Sequence, residues 1–506
     1  MNMAVPAYDW IAHHAGYQPD ARAIIDLHSS RRFSYRQMNE RVDRCALFLA
    51  NDCGVGRGDR VAMLAHNSSD HYEVEFACRR IGAIFLPLNW RLAVPELEFI
   101  VGDSAPLVLI VGEEFMDAGR AIARTCKTPH LIGCADGAAS DYETGLAKSH
   151  GRSPIADLTH EDTWALVYTS GTTGRPKGAR VTHGQAFYNA VNSAMKCELT
   201  RNSVNLAFLP IFHIGGLQLF ANGIFHIGGT NIVMRTFDPL HFLTLLSDPD
   251  LAISHGFGVP TNFLFASQLP EFATADLSRL VTIGIGGAAC PRSLLETYAE
   301  RGVMLQNGWG MTETCTIGTL LSKDRALDKI GSAGQAAMHT SIRIVGPDGL
   351  DVPTGDTGEL WIKGPTITPG YWNRPDANRD SFTDGWFHTG DAAAMDDEGF
   401  VTIVDRYKDM YISGGENVYP AEVENVLYQL DGVAETAVIG VPDDKWGEVG
   451  RAFVVAKAGS NLTEDAITAH CQDNLARFKV PKSIRFADEL PHNATGKVTK
   501  HELPRD

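Results

Sequence analysis

Between residues 34 and 306 the pattern of apolar and polar positions changes period repeatedly. Short apolar runs bounded by turn residues read as strands, and they are followed by stretches with apolar positions three and four apart that read as helices. Ser34 and Gln37 have the spacing of a capping box and predict a helix running toward Asn51. The pattern then predicts strand 59–65, helix 70–81, strand 84–88, helix 96–101 and strand 107–111. The signals weaken between Gly112 and Glu161. They resume with apolar strand-like runs at 164–168 and 179–182, helix 185–196, strand 204–209, helix 217–225, strand 230–233 and helix 239–246. A third round gives strand 280–285, helix 291–301 and strand 303–306. Such alternation predicts α/β architecture, with parallel sheets carrying helices on their faces.

From Ser341 the texture shifts to short strands and Gly/Pro/Asp turns, as in IRIVGPDG and GELWIKG, which predicts a small β-rich lobe. The run Val401 to Asp409 is the candidate boundary. The expected organisation is a large N-terminal domain of layered sheets (1–404) that includes this lobe, then a smaller α+β domain (405–506) with a hinge near 405–408. Helix 420–430 and strand 434–439 are expected in the smaller domain.

Residues 202–234 contain no Lys, Arg, Asp or Glu. Pro210, the glycines and the polar residues His213, Gln218, Asn222, His226 and Asn231 argue against a lipid-exposed span, so strand, loop, helix and strand within the core are expected. The formal charge of −17 excludes nucleic acid and anionic membrane as main partners. Nine cysteines without a C-x-x-C pair suggest neither zinc nor a disulfide framework, which fits a reducing cytoplasm. The opening MNMAVPAYDWIAHH reads as no secretory leader.

The candidate chemistry centres on YTSGTTGRPKG, Tyr168 to Gly178, between the two apolar runs. Gly171, Gly174 and Gly178 let backbone N–H groups approach a ligand, and Thr169, Ser170, Thr172 and Thr173 add hydroxyls, as a phosphate loop requires. It is not a Walker loop, because Pro176 stands where the second glycine must be and Gly178 where the metal-binding hydroxyl must be.

This loop resembles the signature of the adenylate-forming superfamily, which contains acyl-CoA and aryl-CoA synthetases, peptide-synthetase adenylation domains and luciferases. Further matches follow in family order almost to the last residue. The resemblance implies ATP, Mg²⁺ and coenzyme A as cofactors, a small-molecule carboxylic acid as substrate, and AMP-forming ligation. It assigns the phosphates to Thr169 through Gly174 and to Lys177. His213 in LPIFHIGGL reads from its residues alone as a core histidine, and the resemblance makes it the acyl-pocket histidine. GIGGAA at 284–289 also fits a dinucleotide fingerprint, yet no strand ending in Asp or Glu follows about twenty residues on. The family reading places Gly286, Gly287 and Ala288 on the adenine side.

In NGWGMTET, Asn307 to Thr314, the glycines Gly308 and Gly310 would leave Trp309 exposed as a platform for a purine ring, a position where the family more often has Tyr. Thr312 matches the hydroxyl near the α-phosphate and Glu313 the Mg²⁺ ligand, a hard oxygen donor for a hard cation. Asp391 and Arg406 match the ribose contacts, and Lys408 the pivot of a mobile C-terminal domain. Gly414 and Gly415 match the pantetheine tunnel and Lys497 the catalytic lysine. For the acid, the residues after His213, Gly284 to Gly286 and Thr314 to Ile317 are the expected pocket walls. None is charged, and Gly215 and Gly216 are expected to leave room for a medium or long fatty acyl chain, with an aryl-propenoic acid as the alternative. Transfer of the acyl group to a thiol other than coenzyme A stays open, and the sequence is compatible with a homo-oligomer.

Overall fold

Strand residues such as Val61 to Leu64 and Val108 to Val111 are buried on both faces, which is why they read as unbroken apolar runs rather than alternating ones. This computed structural model describes residues 4–169, 176–288, 290–406, 409–413, 416–443, 445–492 and 498–505. Six strands form one sheet in the order His130–Cys134, Val108–Gly112, Arg60–Leu64, Ile84–Pro87, Thr163–Thr169, Lys177–Thr182. All pairs are parallel except the last. A nine-stranded sheet has a parallel centre running from Leu305–Trp309 through Thr282–Gly286, His255–Gly258, Val204–Ala207 and Thr230–Val233 to Arg22–Asp26. The α/β expectation therefore holds.

Helices Tyr35–Asn51 and Ser69–Ile81 share one core with residues of both sheets, including Ile24, Val233, Val61 and Trp164. At its centre Trp10, Phe76, Trp164 and Phe225 meet edge to face. The predicted capping box is present: Ser34 Oγ accepts from the Gln37 N–H at 3.4 Å and Gln37 Oε1 accepts from the Ser34 N–H at 2.9 Å.

The β-rich lobe is a five-stranded antiparallel sheet around Trp386–Met395, and its last strand is Val401–Arg406. The chain's last part adds another five-stranded sheet built on the long hairpin Val433–Asp443 and Gly447–Ala456, with helices Pro420–Leu427 and Glu464–Asn474. Among the described residues, no helix is long and apolar enough to cross a membrane.

Three expectations need correcting. The helix predicted at 217–225 is split into a π-turn, Gly215–Leu219, and helix Ala221–Ile227. The weak stretch after Gly112 contains helices Met116–Cys126 and Asp141–Lys148 and strand His130–Cys134. Strand His255–Gly258 was not predicted, because its sequence HGFG has two glycines and low strand propensity. Gly258 fits because a Cβ there would lie 2.8 Å from the Phe263 ring and 2.9 Å from the Phe208 ring.

Candidate active site

Strands Thr163–Thr169 and Lys177–Thr182 pair with Tyr168 opposite Gly178 and Thr169 opposite Lys177, which fixes both ends of the glycine-rich loop. Ser170, Gly171, Thr172, Thr173 and Gly174 lie outside the described residues. Gly178 also has a packing reason. A Cβ there would lie 2.9 Å from the Tyr168 ring, whose hydroxyl donates to Asp103 Oδ2 at 2.6 Å.

Sequence reasoning missed the strip Gly370 to Trp372, which runs along strand Lys177–Thr182. The Arg180 N–H donates to Gly370 O at 3.1 Å, and the Trp372 N–H donates to Gly178 O at 2.8 Å. Between them, the Tyr371 ring lies 5.3 Å from Lys177 Nζ, and the Tyr371 hydroxyl donates to Glu313 Oε1 at 2.7 Å. The Thr368 N–H holds Glu313's backbone carbonyl at 2.7 Å. Glu313 is buried in the 3-10 turn Thr312–Thr314, and Thr312 is buried beside it. A buried carboxylate with one oxygen oriented by a phenol suits a hard cation that also ligates phosphate oxygens. The alternative acidic trio among the described residues, Asp396, Asp397 and Glu398, lies in a turn where Lys329 bridges Asp396 and Glu398.

Strands Thr282–Gly286 and Leu305–Trp309 are parallel neighbours with Gly286 opposite Gly308. The two glycine motifs therefore meet at the C-terminal ends of adjacent strands, where open α/β sheets bind ligands. A Cβ on Gly286 would lie 2.6 Å from Gly308 O, and Gly287 has φ +80°, so both positions require glycine. Ala288 is half-buried beside them.

Trp309 is not the exposed platform expected from its flanking glycines. It is half-buried against the β-rich lobe, and a Cβ on Gly318 would lie 2.4 Å from its ring. Gly308 and Gly310 instead admit Leu320 and the carbonyl of Thr316. The indole N–H donates to Asp391 Oδ2 at 2.7 Å, which joins the aromatic and the carboxylate expected from the resemblance to meet adenine and ribose. Asp391 is opposite Arg406 in the strand register. The Asn307 amide donates to Ser332 O at 2.8 Å and so braces the fold.

In the segment expected to border the acid, the Gly215 N–H donates to His213 Nδ1 at 3.2 Å, which leaves the ring proton on Nε2. Burial pushes this imidazole down to about 4, so at neutral pH it is an uncharged donor. Gly216 does not open the pocket as expected, since its Cβ would meet Pro210 O at 2.2 Å. A Cβ on Gly215 would lie 3.4 Å from both His213 and the Phe257 ring. That ring also packs 2.8 Å from a Cβ on Gly284 and 3.5 Å from one on Gly286. Phe257 thus joins the histidine segment to strand Thr282–Gly286, and the glycine-rich HGFG carried no signal for it.

Lys408, Gly414, Gly415 and Lys497 lie outside the described residues. Their flanks are defined, with Ser413 opposite Glu416 and His492 bridged to Val498.

The AMP-binding enzyme family model matches residues 11–372, and the model for the AMP-binding enzyme C-terminal domain matches residues 422–497. A feruloyl-CoA synthase of an Amycolatopsis species is 41% identical over 499 residues, covering 98% of each chain. The long-chain-fatty-acid–CoA ligase FadD13 of Mycobacterium tuberculosis is 39% identical over 493 residues, covering 97% of each. The crystal structure of ATP-bound MatB from Rhodopseudomonas palustris is similar with a TM-score of 0.90 at 30% identity, covering 97% of each chain.

Proposed function

This chain belongs to the AMP-binding enzyme family, and from that premise we propose that it activates a hydrophobic monocarboxylic acid, foremost a medium- or long-chain fatty acid. Its activity is that of an AMP-forming acid–thiol ligase using ATP, Mg²⁺ and coenzyme A. The observation that carries the choice of acid is the uncharged corner at His213, where the Phe257 ring sits against Gly215, Gly284 and Gly286. A second carboxylate or an ammonium group buried there unpaired would cost several kcal/mol. Dicarboxylic and amino acids are therefore disfavoured. An aryl-propenoic acid is the second reading, supported by the flat aromatic wall of Phe257 and by the feruloyl-CoA synthase relative.

In the first step the substrate carboxylate attacks the α-phosphorus of ATP and pyrophosphate leaves. Both reactants are anionic, so the residues act mainly by positioning and by stabilising charge. Thr169 to Gly174 and Lys177 cradle the phosphates, and Lys497 stands between carboxylate and α-phosphate. Thr312 and the Nε2–H of His213 orient the acid. Mg²⁺ held at Glu313 would neutralise triphosphate charge. Gly286, Gly287, Ala288 and Trp309 receive adenine, while Asp391 and Arg406 receive ribose. In the second step the domain from 405 to 506 turns about Lys408, which withdraws Lys497 and brings Gly414 and Gly415 to the pantetheine arm. The thiol then attacks the acyl carbonyl and AMP leaves.

The test is AMP release with fatty, cinnamic, benzoic and dicarboxylic acids. Highest kcat/KM with a medium or long fatty acid is expected, and a preference for a dicarboxylic acid would contradict the reading.

A further inference from the structure

Two of the expected acid-pocket walls come from distant parts of the chain: the π-turn Gly215–Leu219 and the residues after Glu313. One side chain touches both. Asn189, fully buried on helix His183–Lys196, accepts from Thr316 Oγ1 at 2.8 Å and more weakly from the Ile317 N–H at 3.4 Å. Its amide nitrogen donates to Gln218 O at 2.9 Å. The amide orientation is set by backbone groups, because a main-chain N–H needs an acceptor and a main-chain carbonyl needs a donor.

The wall that Asn189 grips is strained. Cys315 has φ +52° and Thr316 φ +93°, and a β-branched residue rarely adopts the latter. Such a conformation persists only where its surroundings over-determine it. Here the Thr316 carbonyl lies against Gly310, the Thr316 N–H donates to Met311 O at 3.2 Å, and the hydroxyl is held by Asn189. Gln218 is tied in turn to buried Glu75, which also accepts from Asn222 at 2.7 Å, so the opposite wall is anchored to the core.

We propose that Asn189 is a positioning residue for acid selectivity, fixing the separation of the two pocket walls without touching the substrate. The proposal rests on the pocket reading above. Removing the amide would let residues 315–317 relax away from the π-turn, weakening the grip on the acid while leaving the nucleotide side in place.

The experiment measures pyrophosphate exchange with the best acid of the panel. Asn189→Ala should raise the KM for that acid about tenfold, the effect of roughly one buried hydrogen bond, with the KM for MgATP within about twofold. Asn192→Ala, on the same buried helix, should leave the acid KM unchanged and so measures general damage to the helix. Thr316→Val removes the same bond from the other end with little change in volume. The acid KM of the double variant should stay close to that of Asn189→Ala alone, because one interaction is lost twice. If Asn189→Ala does not fold by thermal melting, Thr316→Val decides alone, and a normal acid KM there overturns the proposal. Acid and MgATP KM values rising together, no rise in either, or effects multiplying in the double variant would also overturn it. A wild-type enzyme that activates no acid of the panel would instead sink the functional reading, and this inference with it.

Discussion

The indole N–H of Trp309 donates to Asp391 Oδ2 at 2.7 Å, so a residue read as a stacking surface is also a hydrogen-bond donor to the carboxylate read as the ribose acceptor. A phenylalanine would keep a ring at this position and lose that bond. Bonds to charged groups contribute about 1.5–3 kcal/mol. Trp309→Phe should therefore raise the KM for ATP about tenfold or more and leave the acid KM within about twofold. An unchanged ATP KM would separate the two residues functionally.

Tyr371 holds Glu313 Oε1 through its hydroxyl, while its ring faces Lys177. Tyr371→Phe keeps the ring and removes only the hydroxyl. The Mg²⁺ concentration for half-maximal exchange should rise by about fivefold, for the loss of about 1 kcal/mol of orientation. The same shift should appear when Mg²⁺ is titrated calorimetrically in the presence of ATP and the absence of acid. An unaltered Mg²⁺ curve would confine Tyr371 to a packing role.

Lys497 and Lys408 belong to opposite half-reactions in the proposed cycle. Lys497→Ala should abolish adenylation yet retain most of the thioesterification of a supplied acyl adenylate. Lys408→Pro should do the reverse, because proline fixes φ at the pivot. Equal losses in both steps for either variant would argue against a rotating domain.

Glu75 is fully buried, and burial pushes its carboxyl up to about 8 against the opposing hydrogen bond from Asn222. The folded pKa lies above the ordinary 4.5, so the stability tied to its neutral form is complete below that value and is lost as pH rises through about 8. Glu75→Gln imitates the neutral carboxyl at every pH. Its melting temperature should therefore gain on the wild type between pH 5 and pH 8, by up to about 1.4 kcal/mol of stability per pH unit. A constant difference across that range would show that folding does not raise the Glu75 pKa.

Local signals sufficed wherever one element carried its own evidence. The Ser34–Gln37 box, strand Thr230–Val233 and the β-rich lobe were all legible. Contacts between distant segments were not. Phe257 lies in a glycine-rich strand without periodicity, and Tyr371 follows the β-turn texture of PTITPG. The glycines 178, 216, 308 and 310 show the same limit. Their need arises from the Tyr168 ring, the Pro210 carbonyl, Leu320 and the Thr316 carbonyl, none of which can be read from the flanking residues.

The strip Gly370 to Trp372 has one more consequence. Strand Lys177–Thr182 is the last in its sheet, and an uncovered last strand offers its backbone as a template for another chain. The bonds to Gly370 and from Trp372, with the bridge between Ala179 and Tyr371, cover that edge and deliver Tyr371 to Glu313 in the same contact. Protection from aggregation and alignment of the Glu313 carboxylate, the proposed Mg²⁺ ligand, are thus coupled, and an insertion between Gly364 and Gly370 should damage solubility and adenylation together.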